Sequence, residues 1–342
     1  MYSFNNDYSE GAHPKILDRM IKANLEQNLG YGEDHHCQKA VGYIKDALAR
    51  EDLDIHFIPG GTQANMLMIS ASLRPHQCVI SADTGHINVH ETGAIEATGH
   101  KVIAVPTRDG KLNPLMIQEV LDYHTDEHMV QPKMVYISNS TELGTIYSKA
   151  ELSALSRFCK QNDIILFLDG ARLASALTSS DNDLDITDIA NLVDAFYIGG
   201  TKNGALLGEA LVICNDKLKE DFRYIIKQRG ALMAKGFVIG IQFEVLFEDD
   251  LFYELANHAN EMASKLADIL KENGYTFYVE PCSNQLFPVL PNNIIEELSK
   301  DFLFSIQKKI DEENSLIRLV TSWATSPKSI DDFKEKLESL CK

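Results

Sequence analysis

The stretch Ile164-Ile-Leu-Phe-Leu-Asp169-Gly-Ala-Arg172 decides how this chain is read. Five apolar residues run unbroken into a carboxylate and a glycine. A strand with one face in water alternates polar and apolar residues; a strand covered on both faces does not. Further candidate strands stand at Asp54–Ile58, Gln77–Ser81, Lys101–Val105, Lys133–Ser138, Asp194–Ile198 and Ala210–Cys214, with this one at Asp163–Leu168. Helical patterns separate most of them. Thr62–Leu73 is apolar nearly all round and reads as a buried helix. Asn113–His124 and Lys149–Asn162 are amphipathic, the second opened by the capping-box spacing Ser148-Lys-Ala-Glu151. Strands alternating with helices predict an α/β fold with a mainly parallel, seven-stranded sheet. After Gly236 the rhythm changes to a long helical region over about 243–273. Short strands follow near 276–279 and 286–290, then a helix near 294–301, a strand near 316–322 and a last helix from Ser329. The expected division is an N-terminal arm over 1–14, a large domain over 15–240 and a smaller α+β domain over 241–342.

Composition narrows the field. The 342 residues are 44% hydrophobic and 24% charged, an ordinary globular balance that excludes fibrous and disordered classes. Lys plus Arg is 32 and Asp plus Glu is 50, a net charge of −18. So acidic a surface repels nucleic acid and anionic lipid, so neither is expected as a partner. No apolar run approaches the roughly 18 residues that a membrane helix needs. The first residues, MYSFNNDYSEGAHP, carry neither a basic patch nor an apolar stretch, and the expected compartment is the cytoplasm. Cys37, Cys78, Cys159, Cys214, Cys282 and Cys341 show no close pairing and read as buried or indifferent thiols.

Five segments carry possible chemistry. In Phe57-Ile-Pro-Gly-Gly-Thr-Gln-Ala-Asn65 a strand gives way to two glycines and a helix start at Thr62, which is either an anion pocket of free N–H groups or a plain tight turn. It lacks the endings of a P-loop and of a dinucleotide fingerprint. Asp169 stands where open α/β sheets bind ligands, with Arg172 one turn on; a structural Asp169–Arg172 pair is the rival reading. In Ala195-Phe-Tyr-Ile-Gly-Gly-Thr-Lys202, a lysine at a strand's carboxyl end is a candidate nucleophile or a solvated loop residue. His86 and His90 are one helical turn apart, yet no third ligand stands out, so no metal is expected there. Arg318, inside the apolar run Ser315-Leu-Ile-Arg318-Leu-Val, suits a carboxylate or faces water at a sheet edge. Taken together, a phosphate cup, a carboxylate, a lysine and a carboxylate-binding arginine are the parts of a pyridoxal 5′-phosphate site.

The ordered set Tyr31-Gly-Glu-Asp34, Pro59-Gly-Gly-Thr-Gln-Ala-Asn65, His86 with Glu91-Thr-Gly-Ala, Ser140-Thr-Glu-Leu-Gly-Thr145, Asp169-Gly-Ala-Arg172, Gly199-Gly-Thr-Lys-Asn-Gly204 and Arg318-Leu-Val-Thr-Ser-Trp323 resembles the low-specificity L-threonine aldolases, in the beta-eliminating lyase group of the aspartate-aminotransferase superfamily. The resemblance spans nearly the whole chain. It implies a pyridoxal-phosphate transferase-like large domain and retro-aldol cleavage of L-threonine or L-allo-threonine to glycine and an aldehyde. A β-eliminating amino-acid lyase is the alternative. By the same resemblance Lys202 forms the Schiff base, Asp169 meets the ring nitrogen, Arg172 the ring 3-oxygen, and Gly61 and Thr62 hold the phosphate, with Lys235 near it. His86 stacks on the ring, and Arg318 grips the substrate carboxylate. Tyr31 reaches the site of a neighbouring subunit, which implies a homodimer or homotetramer. Many relatives carry Ser-Asp-Thr where this chain has Asn6-Asp7-Tyr8, which makes Asn6 a substrate-binding candidate. Many also carry histidine where Glu142 stands, so the base acting on the β-hydroxyl is either His86 or Glu142.

Overall fold

In a computed structural model, which describes residues 1–340 and so leaves Cys341 outside, the seven apolar runs form one sheet. Its strands are β1 (Asp54–Ile58), β2 (Gln77–Ala82), β3 (Lys101–Val105), β4 (Gln131–Ser138), β5 (Ile165–Asp169), β6 (Ala195–Gly199) and β7 (Glu209–Ile213). The order is β1-β7-β6-β5-β4-β2-β3. All neighbours are parallel except β7, which runs against both β6 and β1. The parallel core places the carboxyl ends of β4, β5 and β6 together, with Ser138 level with Asp169.

Strand alternation then sorts the side chains. Ile137, Leu168, Phe196 and Val212 enter a core covered by helices His35–Leu48, Lys149–Gln161 and Phe237–Glu248. Tyr136, Phe167, Tyr197 and Leu211 face the other way, under helix Gly61–Ser72, whose Ala64, Leu67 and Met68 are fully buried. Asp169 shares the parity of Phe167, so it ends β5 on the side of that helix.

The predicted single helical region over 243–273 is two helices, Phe237–Glu248 and Leu251–Glu272, broken where Asp250 takes φ 56°. The expected boundary at 240 would divide the first, which packs whole in the large core through Ile239, Phe243 and Leu246. The second bridges the two units. Leu251, Phe252 and Leu255 join the large core, while Met262, Leu266 and Leu270 join a smaller core with Leu286, Ile317, Leu319 and Phe333. The small sheet is antiparallel around Asn314–Val320 and includes Ser305–Lys309, an exposed strand whose polar sequence hid it. The N-terminal arm ties into this unit. Tyr2–Ser3 pairs with Phe302–Leu303, and Phe4 lies fully buried in the small core. No helix among the described residues is long and apolar enough to cross a membrane.

Candidate active site

Asp169 forms the floor. Its Oδ2 accepts from the Tyr136 hydroxyl at 2.5 Å and from Asn65 Nδ2 at 3.3 Å. Its Oδ1 accepts from the Tyr197 hydroxyl at 2.5 Å and from the Ala171 N–H at 3.0 Å. Burial opposes its charge, but nearby His86 and the two phenols outweigh it and hold the carboxyl below its usual range. The phenols are driven well above theirs by burial and by Asp169 itself, so each stays a donor. Close strand ends require glycine here. A Cβ on Gly170 would lie 1.9 Å from the Tyr197 carbonyl oxygen, and one on Gly199 would lie 2.4 Å from that of Ala171.

Asn65 Nδ2 also donates to Glu91 Oε1 at 2.7 Å, and the same oxygen meets His86 Nδ1 at 2.9 Å. Glu91 is buried, and its contact takes up Nδ1 of the ring, while His86 Nε2 has no hydrogen bond among the described residues. Glu142 sits beside it, with Oε1 accepting from the His86 N–H at 2.9 Å and from Ser138 Oγ at 2.7 Å. Burial, then the charge of Asp169, raises the Glu142 carboxyl. The small unit anchors its loop, through Ser283 Oγ on the Gly144 carbonyl at 2.8 Å and Gln285 Nε2 on that of Thr141 at 3.1 Å.

Lys202 follows β6 in a turn pinned by buried Glu209, whose carboxylate accepts from the Gly200 N–H and the Thr201 hydroxyl, both at 2.9 Å. Burial raises the Glu209 carboxyl to about 7. Gly204, at φ 86°, lets the turn close against Leu255. The Lys202 amine has no hydrogen bond or salt bridge among the described residues. Burial, then the Arg172 guanidinium, pushes it down.

Arg172 does not pair with Asp169. It makes a two-point contact with Asp7, Nε to Oδ2 at 2.7 Å and Nη2 to Oδ1 at 3.0 Å, and Asn284 Nδ2 supports Asp7 at 2.9 Å. Arg318 donates Nη2 to the Asn5 carbonyl at 3.2 Å, while its Nε is buried without a partner. Burial, then Arg172, depresses this guanidinium. The N-terminal arm therefore enters the site through Asp7, where the sequence pointed to Asn6. The Asn6 side chain turns back to cap the Tyr8 N–H and the Ser9 hydroxyl, each at 3.0 Å.

Several features of the cup fit a phosphate. Ala64 is the first residue of helix Gly61–Ser72 to bond back, to Gly60, and no side chain caps that end. The N–H groups of Gly61, Thr62 and Gln63 are therefore available to an anion. Thr62 is exposed above them. Lys235 is exposed in the turn before helix Phe237–Glu248, its amine without a hydrogen bond or ion pair among the described residues. Tyr31 is 42% exposed at φ 63°, with Lys227 Nζ 4.4 Å from its ring centroid. The buried Nε of Arg318, the unpaired lysine and the open helix end together match what the expected cofactor and an amino acid bring.

A mostly parallel sheet with a lysine after β6 and an aspartate ending β5 defines a member of the aminotransferase-like fold class. A histidinol-phosphate aminotransferase from Clostridium acetobutylicum shares the fold at 14% identity with a TM-score of 0.75 over the whole chain. Residues 6–290 match the beta-eliminating lyase family, and the chain belongs to it. It is 31% identical to the low specificity L-threonine aldolase of Pseudomonas aeruginosa over 90% of its own length and 87% of the relative's. The structure of a threonine aldolase from Leishmania major matches with 53% identity and a TM-score of 0.99, covering all of both chains.

The roles of Tyr136, Tyr197, Asn65 and Asp7 were missed from sequence. The usable signal was that a phenol inside a fully covered strand needs a polar partner.

Proposed function

We propose that this chain uses pyridoxal 5′-phosphate to cleave threonine-type β-hydroxy-α-amino acids between Cα and Cβ, yielding glycine and an aldehyde. The observation that carries the reading is Lys202: an amine with no hydrogen bond or salt bridge among the described residues, pushed down by burial and then by Arg172, beside a carboxylate floor fully supplied with donors. Its membership of the family and its likeness to threonine aldolases support the same reading. When bound, the cofactor supplies an electron-deficient ring that accepts the electron pair of the breaking bond.

The residues then divide the work. Lys202 provides the attachment point. Asp169, kept ionised, faces the ring nitrogen, and the N–H groups of Gly61 and Thr62 hold the phosphate, with Lys235 at its edge. Arg172 keeps its Asp7 contact while facing the ring 3-oxygen. Arg318 turns its unmet Nε–H to the substrate carboxylate, and Asn6 lies beside this position on the arm. His86 covers the ring, and its Nε2 takes the β-hydroxyl proton. That proton transfer is worth about 10²–10⁴ in rate. Glu142 holds the His86 backbone and is the second candidate for the base.

Tyr31 serves the site of a neighbouring subunit in a homodimer or homotetramer. The strongly exposed Ile21, Leu25 and Leu29 on the adjoining segment support an interface there. Four buried free thiols and a partly buried fifth accord with a cytoplasmic setting.

The test is product analysis with L-threonine and L-allo-threonine. Glycine and acetaldehyde are expected in equal amounts; a keto acid with ammonia would instead establish the β-eliminating alternative. Replacing His86 by Asn and Glu142 by Gln separates the two bases, the larger fall in kcat marking the proton acceptor.

A further inference from the structure

A second constellation lies away from this site, where the segment after helix Pro14–Ala23 returns to open helix His35–Leu48. We propose that Glu26, His35 and His36 bind a first-row transition-metal dication, with Zn(II) the best fit.

Three ligand atoms converge there. Glu26 Oε2 lies 3.0 Å from His36 Nε2 and 3.5 Å from His35 Nε2, and all three lie within 4.8 Å of one another. Ligands bonded to zinc at its usual 2.0–2.1 Å in tetrahedral array stand about 3.3 Å apart, so small side-chain adjustments close the shell.

What distinguishes this group from a surface ion pair is the support behind it. His36 is buried, and its other nitrogen, Nδ1, meets Glu244 Oε2 at 2.5 Å. The Glu244 side chain is 1% exposed and is itself held by Arg19 Nη1 at 2.7 Å and Lys39 Nζ at 3.5 Å. A buried carboxylate on one ring nitrogen fixes the ring so that the other nitrogen faces Glu26. This carboxylate–histidine arrangement is what orients metal-bound imidazoles. The second imidazole is drawn to the same oxygen, the ring centroids of His35 and His36 being 3.9 Å apart and tilted by 36°.

The remaining features set the class of metal and its access. Two imidazoles and one carboxylate suit zinc and its neighbours, while calcium and magnesium prefer all-oxygen shells. In the single chain the side chains of His35 and Glu26 are 52% and 44% exposed, which leaves room for water to complete the shell. The ligands come from both ends of the segment 24–34, which carries Tyr31 outward. A metal here would staple that segment to helix Phe237–Glu248 through Glu244.

The experiment uses the full-length, cofactor-loaded protein, stripped with a chelator and titrated with Zn(II) against a chromophoric competitor. One zinc per chain is expected. Binding should weaken at least about tenfold in Glu26→Gln and in His35→Ala, and further in the double variant. Both residues are exposed, so folding survives the changes, and far-ultraviolet circular dichroism checks this. Unchanged stoichiometry and affinity in the double variant would overturn the proposal. X-ray absorption at the zinc edge supplies an independent reading: imidazole and oxygen scatterers support the site, and sulfur at about 2.3 Å would place the metal on cysteine and overturn it.

Discussion

At the floor of the active site each oxygen of Asp169 already holds two donors, whereas at the mouth the cations outnumber their acceptors. Tyr136 and Asn65 serve one oxygen below, Tyr197 and the Ala171 N–H the other. Above, Lys202 makes no hydrogen bond or salt bridge among the described residues and Arg318 leaves a buried Nε–H unmet. Arg172 is matched by a carboxylate, that of Asp7 from the far N-terminal arm. The contrast separates what the chain supplies for itself from what it leaves for a ligand. Buried donors without acceptors are costly unless something fills them. A floor that is complete in advance holds one charge state and one direction, and a mouth left with unmet donors is suited to molecules carrying anions.

The largest test of this contrast is Lys202→Ala. Glycine formation should cease and the visible absorbance of the bound cofactor should vanish; a coloured, active variant would sink the assignment. Next comes the matched cation. Asp7→Asn leaves Arg172 in a buried setting without its carboxylate, a change of about 3–5 kcal/mol where buried pairs are broken. Thermal or urea unfolding reads it. Burial opposes the charge of Asp7, but Arg172 and then Lys202 overcome it and hold the carboxyl below its ordinary value. The sign follows. The stabilisation is fully present above the unfolded value of about 3.9 and is lost as pH falls through the lower folded value. Wild type should therefore lose stability steeply in that acid range, and Asp7→Asn should lose less. If the two acid profiles have the same slope, the pair is not what stabilises the arm. Smaller again is Arg318→Ala. A charged hydrogen bond to the substrate carboxylate is worth about 1.5–3 kcal/mol. The loss corresponds to a rise of roughly 10–100-fold in KM. An unchanged KM would remove Arg318 from the mouth.

Legibility in the sequence follows the same line. Asp169 and Arg318 could be found because each ends or interrupts an apolar run, where a charge needs a reason, and Lys202 because it follows the glycines that close one. The common sheet end of Asp169 and Lys202 follows from the parallel rhythm of β4, β5 and β6. Asp7 could not be found, since nothing in Asn6-Asp7-Tyr8 shows which side chain turns inward. The arm is placed by Phe4 in the small core and by pairing with Phe302–Leu303, some 300 residues away in sequence. Tyr136 and Tyr197 were hidden for the opposite reason. Inside strands covered on both faces they look like core, and only register and parity bring their hydroxyls to Asp169. The exposed strand Ser305–Lys309 was hidden by having no apolar pattern at all.

The smallest effect separates the two phenols at the floor. Removing Tyr136 leaves Asp169 Oδ2 with only the 3.3 Å contact to Asn65, while removing Tyr197 leaves Oδ1 with the shorter Ala171 N–H at 3.0 Å. Tyr136→Phe should therefore disturb the site more than Tyr197→Phe, each by about 1–3 kcal/mol at most, read as cofactor affinity. Tyr197 has a second duty that a double-mutant cycle can isolate. A Cβ on Gly61 would meet the Tyr197 hydroxyl at 2.9 Å but its Cζ only at 3.5 Å, an ordinary contact. Gly61→Ala should thus crowd the phosphate cup in wild type and much less in Tyr197→Phe. Coupling of about 0.5 kcal/mol or more is the size expected for residues in contact. Additive effects would mean that the floor and the cup are held independently, and that the hydroxyl serves Asp169 alone.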